Sequence, residues 1–260
     1  MRIHRSLTAL LCALILCSCS QTEGSSSDSE YFSSERELGS SSDEAVSQTS
    51  ESESVQKTWE SFDEFFSSLS EDDMSVKNYS YNSEVWAQSG LQGQLIESGQ
   101  DTPPQKELHL GQYKFGYNGC EVIAGYNMLT LLGEDVDMPK LIAEFEHNIL
   151  VAKDGSFGSE PREMYLLLDK HGYEYDTVKT LAECDKALDE GKSLIFSYFT
   201  GRAYFSEIHT ICIIGGREKY VLNRYNSVSG RSQIEGISDI TEDDKNVIIA
   251  YAVNVQEDEK

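Results

Sequence analysis

Residues 117–129 read YNGCEVIAGYNML, a Gly-Cys step followed by an apolar run. The apolar positions recur at helical spacing, which predicts a helix over residues 120–132 that is ended by Gly133. Cys120 then falls at a helix N-terminus, where unpaired backbone N–H groups and the helix dipole favour a thiolate over a thiol. The pattern indicates a nucleophilic cysteine, and the alternative is a small apolar residue in a core helix.

The first residues of the chain have the pattern of an export signal. Residues 1–18 combine a basic start with an apolar run from Leu7 to Leu16, which is too short to span a bilayer as a mature helix. The run ends in Ser18-Cys19 and resembles the lipobox of bacterial lipoproteins, which implies that Cys19 is lipidated. Lipid on Cys19 would anchor the exported protein to the outer face of the cell membrane. The alternative is an ordinary signal peptide that is cut nearby.

Composition divides the rest of the chain into three parts. Residues 19–56 are mostly Ser, Glu and Asp, which predicts a disordered tether. Residues 57–104 are predicted to be a partly helical linker or docking segment, with one amphipathic helix over 58–69 and a break over 72–77. Residues 105–256 are predicted to form the main domain. The net charge of −24 argues against nucleic acid as a partner, because phosphate binding needs a basic surface.

The cysteines do not form a disulfide framework. Of the six in the chain, three lie at or before residue 19, which leaves Cys120, Cys184 and Cys212. An odd number without close pairing argues against structural disulfides, and we interpret Cys184 and Cys212 as core residues. The chain has no CxxC or HExxH motif, so we expect neither a metal nor an organic cofactor.

The main domain is predicted to be α+β, with helices first and an antiparallel sheet second. After the Cys120 helix, Pro139 and Pro161 open two further helices, and a strand over 174–178 leads to a helix over 181–188. β-rich segments then follow in succession and suit an antiparallel sheet, over residues 193–199, 207–214, 219–223 and 247–255.

His209 lies on the second of these strands and is the candidate partner of Cys120. Alternation along the strand places His209, Ile211 and Ile213 on one face of the sheet. A hairpin would bring Asn223 back beside His209, where an amide can orient the imidazole, and Asn226 is the competing candidate. The alternative for His209 is a structural residue in a strand.

Gln112 is the candidate for stabilising the oxyanion of the reaction. It lies eight residues before Cys120. Its side-chain amide and the Cys120 backbone N–H could together form an oxyanion hole. The alternative is a surface glutamine at the end of a short strand.

Together these residues resemble the papain-like cysteine peptidases of family C thirty-nine, the bacteriocin-processing type. More closely, they resemble the family C thirty-nine-like domains of bacterial surface proteins. The resemblance covers about residues 108–255 and implies a papain-like fold, in which the Cys120 helix packs on the antiparallel sheet that carries His209. It rests on the order and spacing of Gln112, Asn118-Gly119-Cys120, Gly191-Lys192, His209-Thr210 and Tyr220-Val221-Leu222-Asn223.

The chain departs from the family pattern at two places. Glu121 follows the cysteine, where the family usually has Gly or Gly-Pro, and an acid beside the thiolate should raise the thiol pKa. Asn223-Arg224-Tyr225-Asn226 stands where the family commonly has Asp-Pro. The identity of the third catalytic residue therefore stays open.

The sequence thus predicts a lipid-anchored extracellular cysteine peptidase-like hydrolase that acts on peptide or amide bonds through a Cys-His-Asn site. The predicted partners are a peptide or protein substrate and, through Cys19, the membrane. The alternative is a catalytically inactive surface domain with the same fold, used for binding.

Overall fold

The structure is a computed structural model that describes Thr58 and residues 60–201, 207–226 and 230–255. The predicted signal peptide over 1–18, Cys19 and the predicted tether over 19–56 lie outside the described residues. None of the described helices is long and apolar enough to cross a membrane.

The described part of the chain contains seven α-helices and eight β-strands. The helices are α1 (Phe62–Ser68), α2 (Met74–Ala87), α3 (Phe115–Asn118), α4 (Cys120–Leu131), α5 (Met138–Asn148), α6 (Tyr165–Lys170) and α7 (Leu181–Asp189). The strands are β1 (His109–Leu110), β2 (Tyr113–Lys114), β3 (Tyr175–Val178), β4 (Lys192–Phe199), β5 (Ile208–Ile214), β6 (Lys219–Leu222), β7 (Ser232–Ile234) and β8 (Val247–Asn254).

Strands β3 to β8 form one sheet in the order β3-β8-β4-β5-β6-β7, and every neighbouring pair is antiparallel. The predicted α+β class with an antiparallel sheet is therefore confirmed. The sequence pattern did not predict β7, because this edge strand has three residues and buries only one of them, Ile234.

Both faces of the sheet are buried. One face packs against α4, and alternate strand residues point into that core, among them Ile195, Cys212 and Tyr251. The other face packs against α7, and the intervening residues Ile211 and Ile213 point there. The predicted alternation along β5 is therefore confirmed.

Helix α4 is the central helix of the first core. Its residues from Cys120 to Leu129 are all buried. Close packing requires Gly125, because a Cβ there would lie 2.8 Å from a methyl carbon of Leu167 on α6. The helix stops at Gly133, whose φ of +86° is the left-handed conformation that glycine adopts without strain. The predicted helix and its glycine stop are confirmed.

Helix α2 begins inside the stretch 72–77 that was predicted as a break. Asp73 is its N-cap, and its side chain accepts a hydrogen bond from the Ser75 backbone N–H. The buried face of α2 is polar, so the apolar periodicity does not show it. Asn82 is fully buried, and its amide donates to the His109 carbonyl at 2.9 Å and accepts from the His109 N–H at 2.8 Å.

Replacing Asn82 by alanine should lower the free energy of unfolding by about 2 kcal/mol, because two His109 backbone groups would lose their partners. Urea unfolding of the full chain measures this change. Ser80→Ala, an exposed position on the same helix, should stay within about 0.5 kcal/mol of the parent. Equal effects of the two substitutions would contradict the docking role of Asn82.

Candidate functional site

Cys120 is the first residue of α4, and this helix packs directly on β5. Gly119 precedes it and must be glycine, because a Cβ there would lie 2.5 Å from the ring of Phe115. The Cys120 side chain is only 6% exposed. The nucleophile candidate therefore sits at a helix N-terminus, as predicted, but under the surface rather than on it.

The Cys120 thiol is hydrogen-bonded to the next residue. Its Sγ donates to a carboxylate oxygen of Glu121 at 3.0 Å. Burial, then the Glu121 charge and this hydrogen bond, raise the pKa of the Cys120 thiol well above its ordinary value, and the Thr210 backbone N–H opposes them. The predicted direction of the Glu121 effect is confirmed, and at neutral pH the sulfur is a thiol.

Glu121 is itself a buried acid, 4% exposed. Burial raises its pKa to about 7, against the hydrogen bonds from Cys120, from its own backbone and from the Thr210 side chain. The Thr210 hydroxyl lies 2.9 Å from the hydroxyl of Ser197 on β4. Glu121 therefore belongs to a buried polar cluster that reaches from α4 across two strands.

His209 is buried at the start of β5, one residue before Thr210. Its Nε2 lies 3.1 Å from the backbone carbonyl of Asn223. A carbonyl only accepts, so Nε2 carries the proton and Nδ1 of the neutral ring is unprotonated. Burial lowers the pKa of His209, and the Asn223 and Arg224 backbones oppose that shift. The imidazole is thus a neutral, oriented base.

Asn223 lies one residue beyond the end of β6 and holds the sheet together there. Its side-chain Oδ1 accepts from the Cys212 N–H at 3.2 Å, and its Nδ2 donates to the Thr210 carbonyl at 3.0 Å. The side-chain amide therefore makes the two hydrogen bonds that the backbone of a further β6 residue would make to β5. Its φ of +48° is one that asparagine tolerates better than most residues. Asn223 contacts His209, as predicted, but through its backbone carbonyl.

Neither of the other two candidates hydrogen-bonds to Cys120 or His209 in the part of the chain that the structure describes. Gln112 is exposed in the β1–β2 turn, and its backbone N–H donates to the Asp154 carbonyl at 2.8 Å. Its side chain makes no hydrogen bond within the part of the chain that the structure describes. The Asn226 carbonyl accepts from the Asp101 N–H at 2.7 Å, and its side chain does not bond to His209.

The Cys120 sulfur meets the Thr210 backbone and the His209 ring meets the Asn223 carbonyl, and the two side chains are not joined directly. The Thr210 backbone N–H reaches the Cys120 sulfur, while no hydrogen bond links that sulfur to the His209 ring. Sequence reasoning missed the part that Thr210 and Ser197 play, because small hydroxyl residues in a strand carry no distinguishing pattern.

The remaining cysteines are core residues, as predicted. Cys184 and Cys212 are fully buried and free. Within residues 60–201, 207–226 and 230–255, no three His, Cys, Asp or Glu side chains cluster as metal ligands would.

Comparison with known proteins leaves the family open. No protein-family model matches the chain, and no curated protein is significantly similar to it.

Replacing Asn223 by aspartate should destabilise the fold at neutral pH, because one carboxylate oxygen would face the Thr210 carbonyl in place of the amide donor. We expect a loss of about 2 kcal/mol at pH 7.5. The loss should shrink in acid, since protonation restores a donor and the folded-state pKa of the new acid is raised. Urea unfolding at pH 7.5 and 5 measures both, with Asn226→Asp as the control. A loss that does not depend on pH would contradict this role.

Proposed function

We propose that the domain is a papain-like cysteine hydrolase that acts on peptide or amide bonds. The observation that carries the proposal is the position of the Cys120 sulfur, at a helix N-terminus and against the Thr210 backbone, one residue from His209. Covalent acyl transfer requires a nucleophile and a base. His209 shares the α7 face of the sheet with Ile211 and Ile213, so the proposal requires the imidazole to turn toward the α4 face, on which Cys120 lies.

The tautomer of His209 supports the proposal. In papain-like catalysis the imidazole must receive a proton from sulfur on one nitrogen while the other is held by a hydrogen bond. Here Asn223 holds the proton on Nε2, which leaves Nδ1 as the acceptor. Because burial keeps the ring neutral near pH 7, the base is in its competent form.

In the proposed reaction, the Cys120 sulfur bonds to the substrate carbonyl carbon as its proton passes to His209 Nδ1. The oxyanion forms beside the Cys120 backbone N–H, with Gln112 as the predicted second donor. The C–N bond then breaks and the amine leaves with the proton from His209. Water adds to the thioester and gives a proton to His209. The C–S bond breaks and that proton returns to sulfur, so one water is consumed for each bond cut.

One observation favours a second candidate, a binding domain without turnover. The thiol is hydrogen-bonded to Glu121, and its pKa is raised rather than lowered. A thiol that never ionises would make the fold a scaffold, and its surface would then carry the function. The hydrolase is the first proposal because the Cys120 sulfur lies against the backbone of Thr210, the residue next to His209.

We also propose that the protein is exported and lipid-anchored through Cys19, with residues 19–56 as a tether between membrane and domain. The supporting pattern is the apolar run that ends at Ser18-Cys19. The anchor would place the hydrolase outside the cell, where its substrate is a peptide or a wall-associated amide.

Cys120→Ala should abolish cleavage, lowering the rate by at least about 10³-fold, because the sulfur that would form the acyl intermediate is lost. Mass spectrometry of a peptide library incubated with the full-length protein measures this. Cys184→Ala, which changes a buried thiol on α7, is the control and should retain cleavage. Undiminished cleavage by Cys120→Ala would rule out the hydrolase, and no cleavage by the parent protein would favour the binding domain.

Cys19→Ser should release the protein from the membrane fraction of a bacterial expression host, because the lipid attachment point is lost. Fractionation with immunoblotting measures the distribution, and Cys17→Ser is the matched control that should remain membrane-bound. Release of both variants, or of neither, would contradict a lipid on Cys19.

A further inference from the structure

The carboxylate of Glu121 is hydrogen-bonded to the nucleophile, and the proposed reaction gives it no role. Its Oε2 lies 3.0 Å from the Cys120 sulfur, and both side chains are buried. Two acidic groups this close, with little water between them, strongly disfavour ionisation of both. Above the pKa of Glu121, about 7, the pair therefore carries one negative charge, which resides on either oxygen or sulfur.

The surroundings favour the charge on oxygen. The Thr210 side chain hydrogen-bonds the Glu121 carboxylate, and Ser197 supports that hydroxyl from β4 at 2.9 Å. The donor that would favour the charge on sulfur is the Thr210 backbone N–H. Two other ionisable groups interact with the pair. The charge of Glu160 raises the pKa of Glu121, and the charge of Cys120 raises the pKa of Tyr198 on β4. Buried His209, on β5, is neutral.

We propose that Glu121 is a positioning residue that sets the resting state of the site, holding Cys120 as a thiol by keeping the single negative charge on its own carboxylate. This inference rests on the proposed nucleophilic role of Cys120. The nucleophile is then latent in the free enzyme. It is released when a cationic group of a substrate neutralises the Glu121 charge.

The order of ionisation follows from the same geometry. As the pH rises, the pair loses its first proton from Glu121, and the thiol must then ionise against a charge 3.0 Å away. With glutamine at position 121, the first ionisation of the pair would have to come from sulfur. The helix N-terminus and the Thr210 N–H would then favour the thiolate without an opposing charge.

The test is the pH profile of Cys120 alkylation by iodoacetamide in the full-length protein, measured at the Cys120 peptide by mass spectrometry. Glu121→Gln should move the midpoint at least one pH unit lower, which is about tenfold faster labelling at pH 7.5. Glu121→Asp keeps the charge but shortens the side chain, so its midpoint should stay near that of the parent. Glu160→Gln is the matched control, an acid that acts on Glu121 rather than on sulfur, and should shift the midpoint little.

Two outcomes would overturn the inference: an unchanged midpoint in a folded Glu121→Gln protein, or equal shifts in the Gln and Asp variants. The second would mean that a looser site, rather than a lost charge, exposes the thiol. A His209→Ala arm separates this result from the hydrolase proposal. If Glu121→Gln shifts the midpoint while the His209→Ala change has no effect in either background, Glu121 controls the thiol but the Cys–His pair does not exist.

Discussion

The candidate site depends on the place where β6 stops. Beyond Leu222 the strand no longer pairs with β5, and the side-chain amide of Asn223 takes over its two hydrogen bonds, to Thr210 and to Cys212. Asn223 has a left-handed backbone conformation, and its own carbonyl accepts a hydrogen bond from His209 Nε2. One residue thus ends the ladder and fixes the tautomer of the candidate base, while the Thr210 N–H remains for the Cys120 sulfur.

Other buried asparagines also pair with backbone groups through their side-chain amides. Asn127 on α4 both donates to and accepts from the backbone of Ile96, and Asn82 on α2 does the same with His109. In each case a helix side chain pairs with backbone groups that would otherwise be buried without partners. The first core therefore relies on amide contacts as well as apolar packing.

This reliance explains what the sequence could and could not predict. Apolar periodicity identifies α4 and β5, because their burial is apolar, and it correctly assigns opposite faces to Ile211 and Cys212. It fails for α2, whose start was predicted as a break, because Asn82 is polar at a buried position. The hairpin prediction places Asn223 beside His209. No sequence pattern tells whether the side chain or the backbone carbonyl of Asn223 makes the contact. Likewise, Glu121 was recognised as a neighbour of the thiol, whereas its support by Thr210 depends on tertiary packing.

Glu121 also opposes the stability of the fold. Its folded-state pKa is about 7, above the ordinary value of 4.5, so the folded state binds its proton more tightly than the unfolded state does. Below pH 4.5 both states hold the proton, and stability falls as the pH rises from there to about 7. An apolar side chain at this buried position of α4 would avoid that loss. A fold that keeps an acid beside a buried thiol, and supports it with hydroxyl groups from β4 and β5, has the local conflict that is typical of functional sites.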